Sequence, residues 1–119
     1  MPKEKPKEAY PLQTGLDDEG KLVSWNHPGG KLFKLGAKAL TDQEVLALLL
    51  GSGSRGVSAM DIAKTILKEF STFRGMVGYE YDSLRNIKGL NDAKIARLGA
   101  SFEFAQRLYK QVTTAKMHT

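Results

Sequence analysis

The run Lys88-Gly89-Leu90-Asn91-Asp92-Ala93-Lys94 sets a glycine hairpin directly before a helical repeat, and the chemistry open to it is anion binding. Leu84 to Leu98 reads as a short helix, a tight turn and a second helix, the outline of a helix-hairpin-helix. The first turn of a helix leaves backbone N–H groups unpaired and carries the positive end of the dipole, so phosphate is its natural ligand. Gly89 supplies a backbone conformation that a side chain opposes, and Leu90 plugs the space between the two helices. Asn91 is expected in the left-handed region, where asparagine is the commonest residue other than glycine. On this reading the amides near Gly89, Asn91 and Ala93 grip one DNA strand, with Lys88, Lys94 and Arg97 adding charge. An ordinary turn between two helices, ended by a glycine cap, has the same spacing.

Gly51-Ser52-Gly53-Ser54-Arg55-Gly56 is the second glycine segment. It lacks the Gly-Lys-Ser/Thr that a phosphate loop needs to hold nucleotide and magnesium, so no nucleotide cofactor is expected. Two readings stay open: a flexible connection between helices, or a degenerate first hairpin whose Arg55 meets a second phosphate. Catalysis has no evident seat. His27 and His118 cannot pair as metal ligands, Asp17-Asp18-Glu19 forms a turn-like run, and no serine has a base partner. No catalytic residue, metal or other cofactor is therefore expected, and the chain reads as a non-enzyme. Trp25, beside Asn26 and His27, suits stacking on a base or partner, or anchoring the N-terminal segment to the core.

The elements that would position these residues follow from periodicity. Thr41 and Glu44 have capping-box spacing before Val45, Leu46, Leu48, Leu49 and Leu50. Ser58 caps a second helix with the stripe Ala59, Ile62, Ala63, Ile66, Leu67 and Phe70. Phe73 to Val77 reads as a short helical connection, and Asp82 or Ser83 starts the first helix of the hairpin. From Asp92 to about Val112 the last helix carries Leu98, Phe102, Ala105, Tyr109 and Val112 at steps of four and three. Ala93, Ala96, Ala100 and Phe104 add a second apolar side, which predicts a helix central to the bundle. No alternating strand pattern follows Gly36.

The predicted fold is thus all-α, a five-helix bundle resembling paired helix-hairpin-helix units with a largely irregular N-terminal tail. Residues 1–30 form a mostly flexible segment, 31–114 the helical domain and 115–119 a C-terminal tail. The chain has 119 residues, 18 Lys and Arg against 13 Asp and Glu, a formal charge of +5 and no cysteine. Disulfide scaffolds and thiolate chemistry are excluded. The positive balance is uneven: Arg85 to Lys116 holds seven basic residues against Asp92 and Glu103, which favours an acidic partner. Asp92 dissents, because it repels phosphate at the helix start. No apolar run reaches membrane-spanning length and the N-terminus lacks a signal-peptide pattern, so a cytoplasmic protein without membrane contact is expected.

Gly36-Ala37-Lys38-Ala39-Leu40-Thr41-Asp42-Gln43-Glu44, Leu48-Leu49-Leu50-Gly51-Ser52-Gly53-Ser54-Arg55-Gly56 and Ile87-Lys88-Gly89-Leu90 together resemble the N-terminal domain of the bacterial RadC family. The resemblance spans about His27 to Leu108, with three motifs in order at compatible spacing. It implies a helix-hairpin-helix domain of a family labelled with DNA repair. The family's hairpin usually reads Gly-apolar-Gly with an alanine four places beyond, where this chain has Asn91 and Ile95. Its Arg-Pro-Arg-Glu-Lys-Leu stretch corresponds here to Asn26-His27-Pro28-Gly29-Gly30-Lys31-Leu32, which carries less charge. Typical members continue into a metallopeptidase-like domain with a His-x-His and an Asp on zinc, and nothing in these residues matches it. The chain reads either as part of a longer protein or as a stand-alone helical relative. The expected activity is sequence-independent binding to the DNA backbone. The alternative is a protein-interaction module that positions a metallopeptidase-like domain or another partner.

Overall fold

In the computed structural model residues 10–54, 56–76 and 80–117 are described, the last three by backbone alone. The fold is mostly helical, but it opens with a two-stranded antiparallel sheet, so it is not strictly all-α. Strands β1 (Gln13–Leu16) and β2 (Leu22–Trp25) pair in register Gln13 with Trp25 through Leu16 with Leu22. The acidic run is the turn that joins them. Asp17 Oδ1 accepts from the amides of Glu19 (2.9 Å) and Lys21 (2.8 Å), and Gly20 takes φ +77° to close it. This hairpin lies in the segment read as irregular, because strands of four residues are too short for an alternating pattern to stand out.

Helix α1 (Pro28–Leu35) is the other element that periodicity missed. Gly29-Gly30 reads as loop, yet the helix is started by position-specific chemistry. His27 Nδ1 accepts from the Gly30 amide at 3.0 Å, and Pro28 occupies the first turn, where its missing N–H does no harm. A 3₁₀ turn at Ala37–Ala39 leads to α2 (Asp42–Leu50), which has the expected capping box: the Glu44 amide donates to Thr41 Oγ1 and the Thr41 amide to Glu44 Oε1. Ser58 caps α3 (Ala59–Phe70) through the Asp61 amide, also as expected. Two more 3₁₀ segments follow, Arg74–Met76 and Tyr81–Asn86, and then α4 (Asp92–Met117). The first helix of the hairpin motif is thus the 3₁₀ segment 81–86.

The core lies between α2, α3 and the first two turns of α4. Leu46, Leu50, Ile62, Ile66 and Leu98 are essentially inaccessible, and Leu84 and Leu90 close the same cluster from the hairpin side. Burial of each such side chain stabilises by about 1.5–3 kcal/mol. Beyond Phe102, α4 runs past the core: Phe104 is 69% and Tyr109 73% exposed, with Leu108 and Val112 about half so. The expectation of a central last helix is corrected accordingly. Its periodicity defines an apolar face, but among the described residues nothing covers Phe104 to Val112.

A buried polar network fastens the N-terminal sheet to α2. Trp25, almost wholly buried, donates from Nε1 to Tyr10 Oη (3.0 Å), and Tyr10 donates to Glu44 Oε2 (2.5 Å). The Lys31 ammonium meets Glu44 Oε1 at 2.8 Å. Burial alone would raise the Glu44 pKa, but hydrogen bonds from Lys31, the Thr41 amide and Tyr10, with the Lys31 charge, outweigh it and lower it to about 2. Tyr10 is pushed up to about 12 by burial and by the adjoining Glu44 carboxylate. Trp25 is therefore an anchor, one of the two roles read for it.

Candidate nucleic-acid interface

The two glycine segments, far apart in sequence, form one surface. Ser54 and Val57 exchange backbone hydrogen bonds at 2.8 and 2.9 Å, which closes a tight loop after α2. Ser54 Oγ then donates to the Gly89 carbonyl at 2.7 Å. Ser54 is thus tied both to Val57 within the loop and to Gly89 in the hairpin, which lays the loop beside the hairpin. A shallow groove between them is lined by Ser52, Ser54, Lys88, Gly89, Asn91 and Arg97, among others.

Gly89 is required twice over. Its φ is +92°, and a Cβ there would fall 2.8 Å from Ile62 Cγ1. The hairpin backbone therefore rests directly on α3. Leu90, 6% exposed, enters the core as the expected plug, so only its backbone faces the site. Asn91 departs from expectation. Ser71 alone among described non-glycine residues has positive φ, and Asn91 instead caps α4, its Oδ1 accepting from the Lys94 amide at 3.0 Å. The single glycine before it already turns the chain, which frees Asn91 for the cap.

This arrangement leaves the amides of Asn91, Asp92 and Ala93 without an acceptor among the described residues, and all three residues are exposed. They converge at the positive end of a 26-residue helix. Lys88 is exposed beside them. Arg97 is exposed and its guanidinium lies over Gly51, where a Cβ would sit 3.1 Å from Nη1. Arg55 lies outside the described residues.

Lys94 is the residue whose placement the spacing did not foretell. It is 6% exposed, and its ammonium donates to the Leu50 carbonyl at 3.2 Å and to the Ser52 carbonyl. It caps the negative end of α2 and ties α4 to the first glycine loop, so its charge lies beneath the groove rather than at its rim. Asp92 also has a partner that sequence reasoning missed: Arg85 Nε meets its Oδ1 at 3.0 Å and Asp82 through Nη1 at 3.1 Å. Arg85 is shared between the two carboxylates, so it offsets the Asp92 charge beside the free amides only in part. Ser54 was the unrecognised link, and only its place inside a glycine run hinted at a role.

No group of three or more His, Asp or Glu side chains suited to a metal occurs among the described residues, and no helix among them is long and apolar enough to cross a membrane. Residues 21–96 match the UPF0758 N-terminal family. A UPF0758 protein of Pseudoalteromonas atlantica is 36% identical over 94 residues, which is 76% of this chain and 42% of that protein. One of Aliivibrio salmonicida is 40% identical over 86 residues, 72% of this chain and 38% of its own length. The chain thus spans about two fifths of the length of these curated relatives. No solved structure matches it. The groove, the hairpin and the glycine loop that builds its wall all fall within or beside the matched stretch, and the chain belongs to the UPF0758 family, the RadC-like family.

Proposed function

We propose that this domain is a non-catalytic module that binds the DNA backbone without regard to sequence. The observation that carries the reading is the set of three amides at Asn91, Asp92 and Ala93, on exposed residues at the start of α4, that have no acceptor among the described residues. A phosphate oxygen accepts from such amides and gains from the helix dipole. Lys88 and Arg97 add mobile charge at the rim, Gly89 and Leu90 shape the turn, and Lys94 positions the loops from below. The unpaired donors are backbone amides, which meet phosphate and carry no base-edge pattern, and Asn91 Oδ1 is engaged in the helix cap, so affinity should fall in the non-specific range, about 10⁻⁴ to 10⁻⁶ M at physiological salt. Work at cytoplasmic DNA, in association with repair, fits this reading.

Fluorescence anisotropy with two duplexes of unrelated sequence tests it. Binding should be equal for both and fall with salt. Lys88→Glu should weaken both alike and flatten the salt dependence by about one phosphate. Equal binding by the variant and the original chain would contradict the proposal.

The second reading, a module that docks a protein partner or a metallopeptidase-like domain, is favoured by a different observation. The exposed apolar residues of α4 lie on the overhang, away from the glycine loops.

A further inference from the structure

The N-terminal hairpin has two backbone edges, and the rest of the fold engages one of them. The Asp17 amide donates to the Lys21 carbonyl at 2.9 Å, so these two residues are a hydrogen-bonded pair of the ladder. Such pairs alternate along an antiparallel sheet, which makes Leu16 with Leu22, and Thr14 with Ser24, the pairs whose backbone groups turn away from each other. On the β2 side the outward Ser24 carbonyl accepts from Lys34, and α1 packs against that strand. On the β1 side the N–H and C=O groups of Thr14 and Leu16 have no partner, and the sheet has no third strand, among the described residues.

The side chains along this open edge add a pattern to it. Leu16 and Leu22 face each other on the outer side of the sheet and are 64% and 71% exposed, and Leu12, 70% exposed, immediately precedes β1. Beyond Leu16 the turn holds Asp17, Asp18 and Glu19 against Lys21. Asp18 and Glu19 are exposed, and neither forms an ion pair among the described residues. Edge strands are commonly blunted by Lys, Pro or an inward-pointing charge, and Gln13 to Leu16 carries none of these.

We propose that β1 takes up an extended peptide of a partner protein as a third, antiparallel strand, one with apolar residues at alternate positions and basic residues before them. The open groups of Thr14 and Leu16 supply the main-chain bonds, and only an extended strand can match them. Alternate apolar residues of the peptide fall on the outer face opposite Leu16 and Leu12. Antiparallel running then sets the residues that precede them against Asp18 and Glu19. A second copy of this chain does not meet these terms. Two β1 strands paired antiparallel about Thr14 place Pro11 and Tyr10 opposite the turn, where no cation stands and one N–H is missing. The hairpin is fastened near the start of α2 through Glu44, whereas the glycine loop follows the end of α2, so the peptide site is separate from the DNA groove.

Amide exchange with solvent, read residue by residue by NMR on the full 119-residue chain, tests this with the peptide Lys-Lys-Ser-Val-Thr-Val-Thr-Val. The Thr14 and Leu16 amides should exchange fast in the free chain and at least about tenfold more slowly with peptide. Gly15, bonded to β2, should change little. Half-saturation is expected on the order of 10⁻⁴ M, since the footprint is below about 1,000 Å². Thr14→Pro removes an outward donor without touching the ladder to β2 and should abolish binding. Asp18→Lys with Glu19→Lys should weaken binding by about tenfold, and the peptide Glu-Glu-Ser-Val-Thr-Val-Thr-Val should restore it to that variant. Slow Gly15 exchange in each variant separates a lost edge from a lost hairpin. Binding that survives Thr14→Pro, edge amides that ignore the peptide, or a charge exchange without effect would overturn the proposal. So would Thr14 and Leu16 amides already slow in the free chain, which would assign the edge to another part of this chain or to a second copy.

Discussion

Ser54 donates from Oγ to the Gly89 carbonyl at 2.7 Å, across 35 positions of the chain. The bond joins the loop after α2 to the turn before α4, and Lys94 repeats the connection in the other direction through the Leu50 and Ser52 carbonyls. The two loops therefore share one fixed geometry. The amides at the start of α4 thereby have a defined position beside the loop that walls the groove.

Replacing Gly89 should be costly for two separable reasons. Gly89→Ala must adopt φ +92° and displace Ile62, which together should destabilise the domain by about 2–4 kcal/mol. Gly20→Ala, at φ +77° with open space around it, isolates the backbone contribution and should lose about 1 kcal/mol. Urea denaturation of both variants gives the comparison, and equal losses would contradict the close approach to Ile62.

Lys94→Met keeps the length of the side chain but leaves the Leu50 and Ser52 carbonyls without its ammonium. A loss of about 1–3 kcal/mol is expected from the two acceptors. Lys88→Glu, on the exposed rim, should change stability by less than about 0.5 kcal/mol. If the two variants melted alike, the strut role of Lys94 would be lost.

Stability should depend on pH through the Tyr10–Glu44–Lys31 network. The Glu44 pKa is lowered from 4.5 to about 2 in the fold, so its contribution is complete above about 4.5 and disappears as pH falls from there toward 2. The full shift corresponds to roughly 3 kcal/mol. Tyr10 is raised from 10.0 to about 12, so its contribution holds below 10 and is lost as pH rises toward 12. Glu44→Gln should flatten the acid limb when thermal unfolding is followed between pH 2 and 7. An unchanged acid limb would show that other carboxylates set it.

The residues that announced their structure in the sequence were those whose signal is local. The capping box at Thr41 and Glu44, the Ser58 cap and the Ile62, Ala63, Ile66 stripe all follow from spacing alone. The hairpin at Gly89 and the plug at Leu90 were legible for the same reason. What escaped depends on distant partners or on shapes too short to repeat. Lys94 looked like a surface cation because the carbonyls it serves lie more than 40 residues away. Glu44 showed its cap but not its burial among Tyr10, Trp25 and Lys31. The four-residue strands and the Gly29-Gly30 helix start carry no period, and the exposed seam of α4 has the same period as a buried one.

Whether phosphate is held at the start of α4 is read by an amide-resolved NMR titration with a short DNA duplex at about 50 and 200 mM salt. Shifts centred on Lys88, Gly89, Asn91, Asp92 and Ala93 are expected, shrinking at the higher salt, with Ser54 following through its bond to Gly89. Amides that stay still at both salts, or shifts confined to Phe104 through Val112, would contradict it.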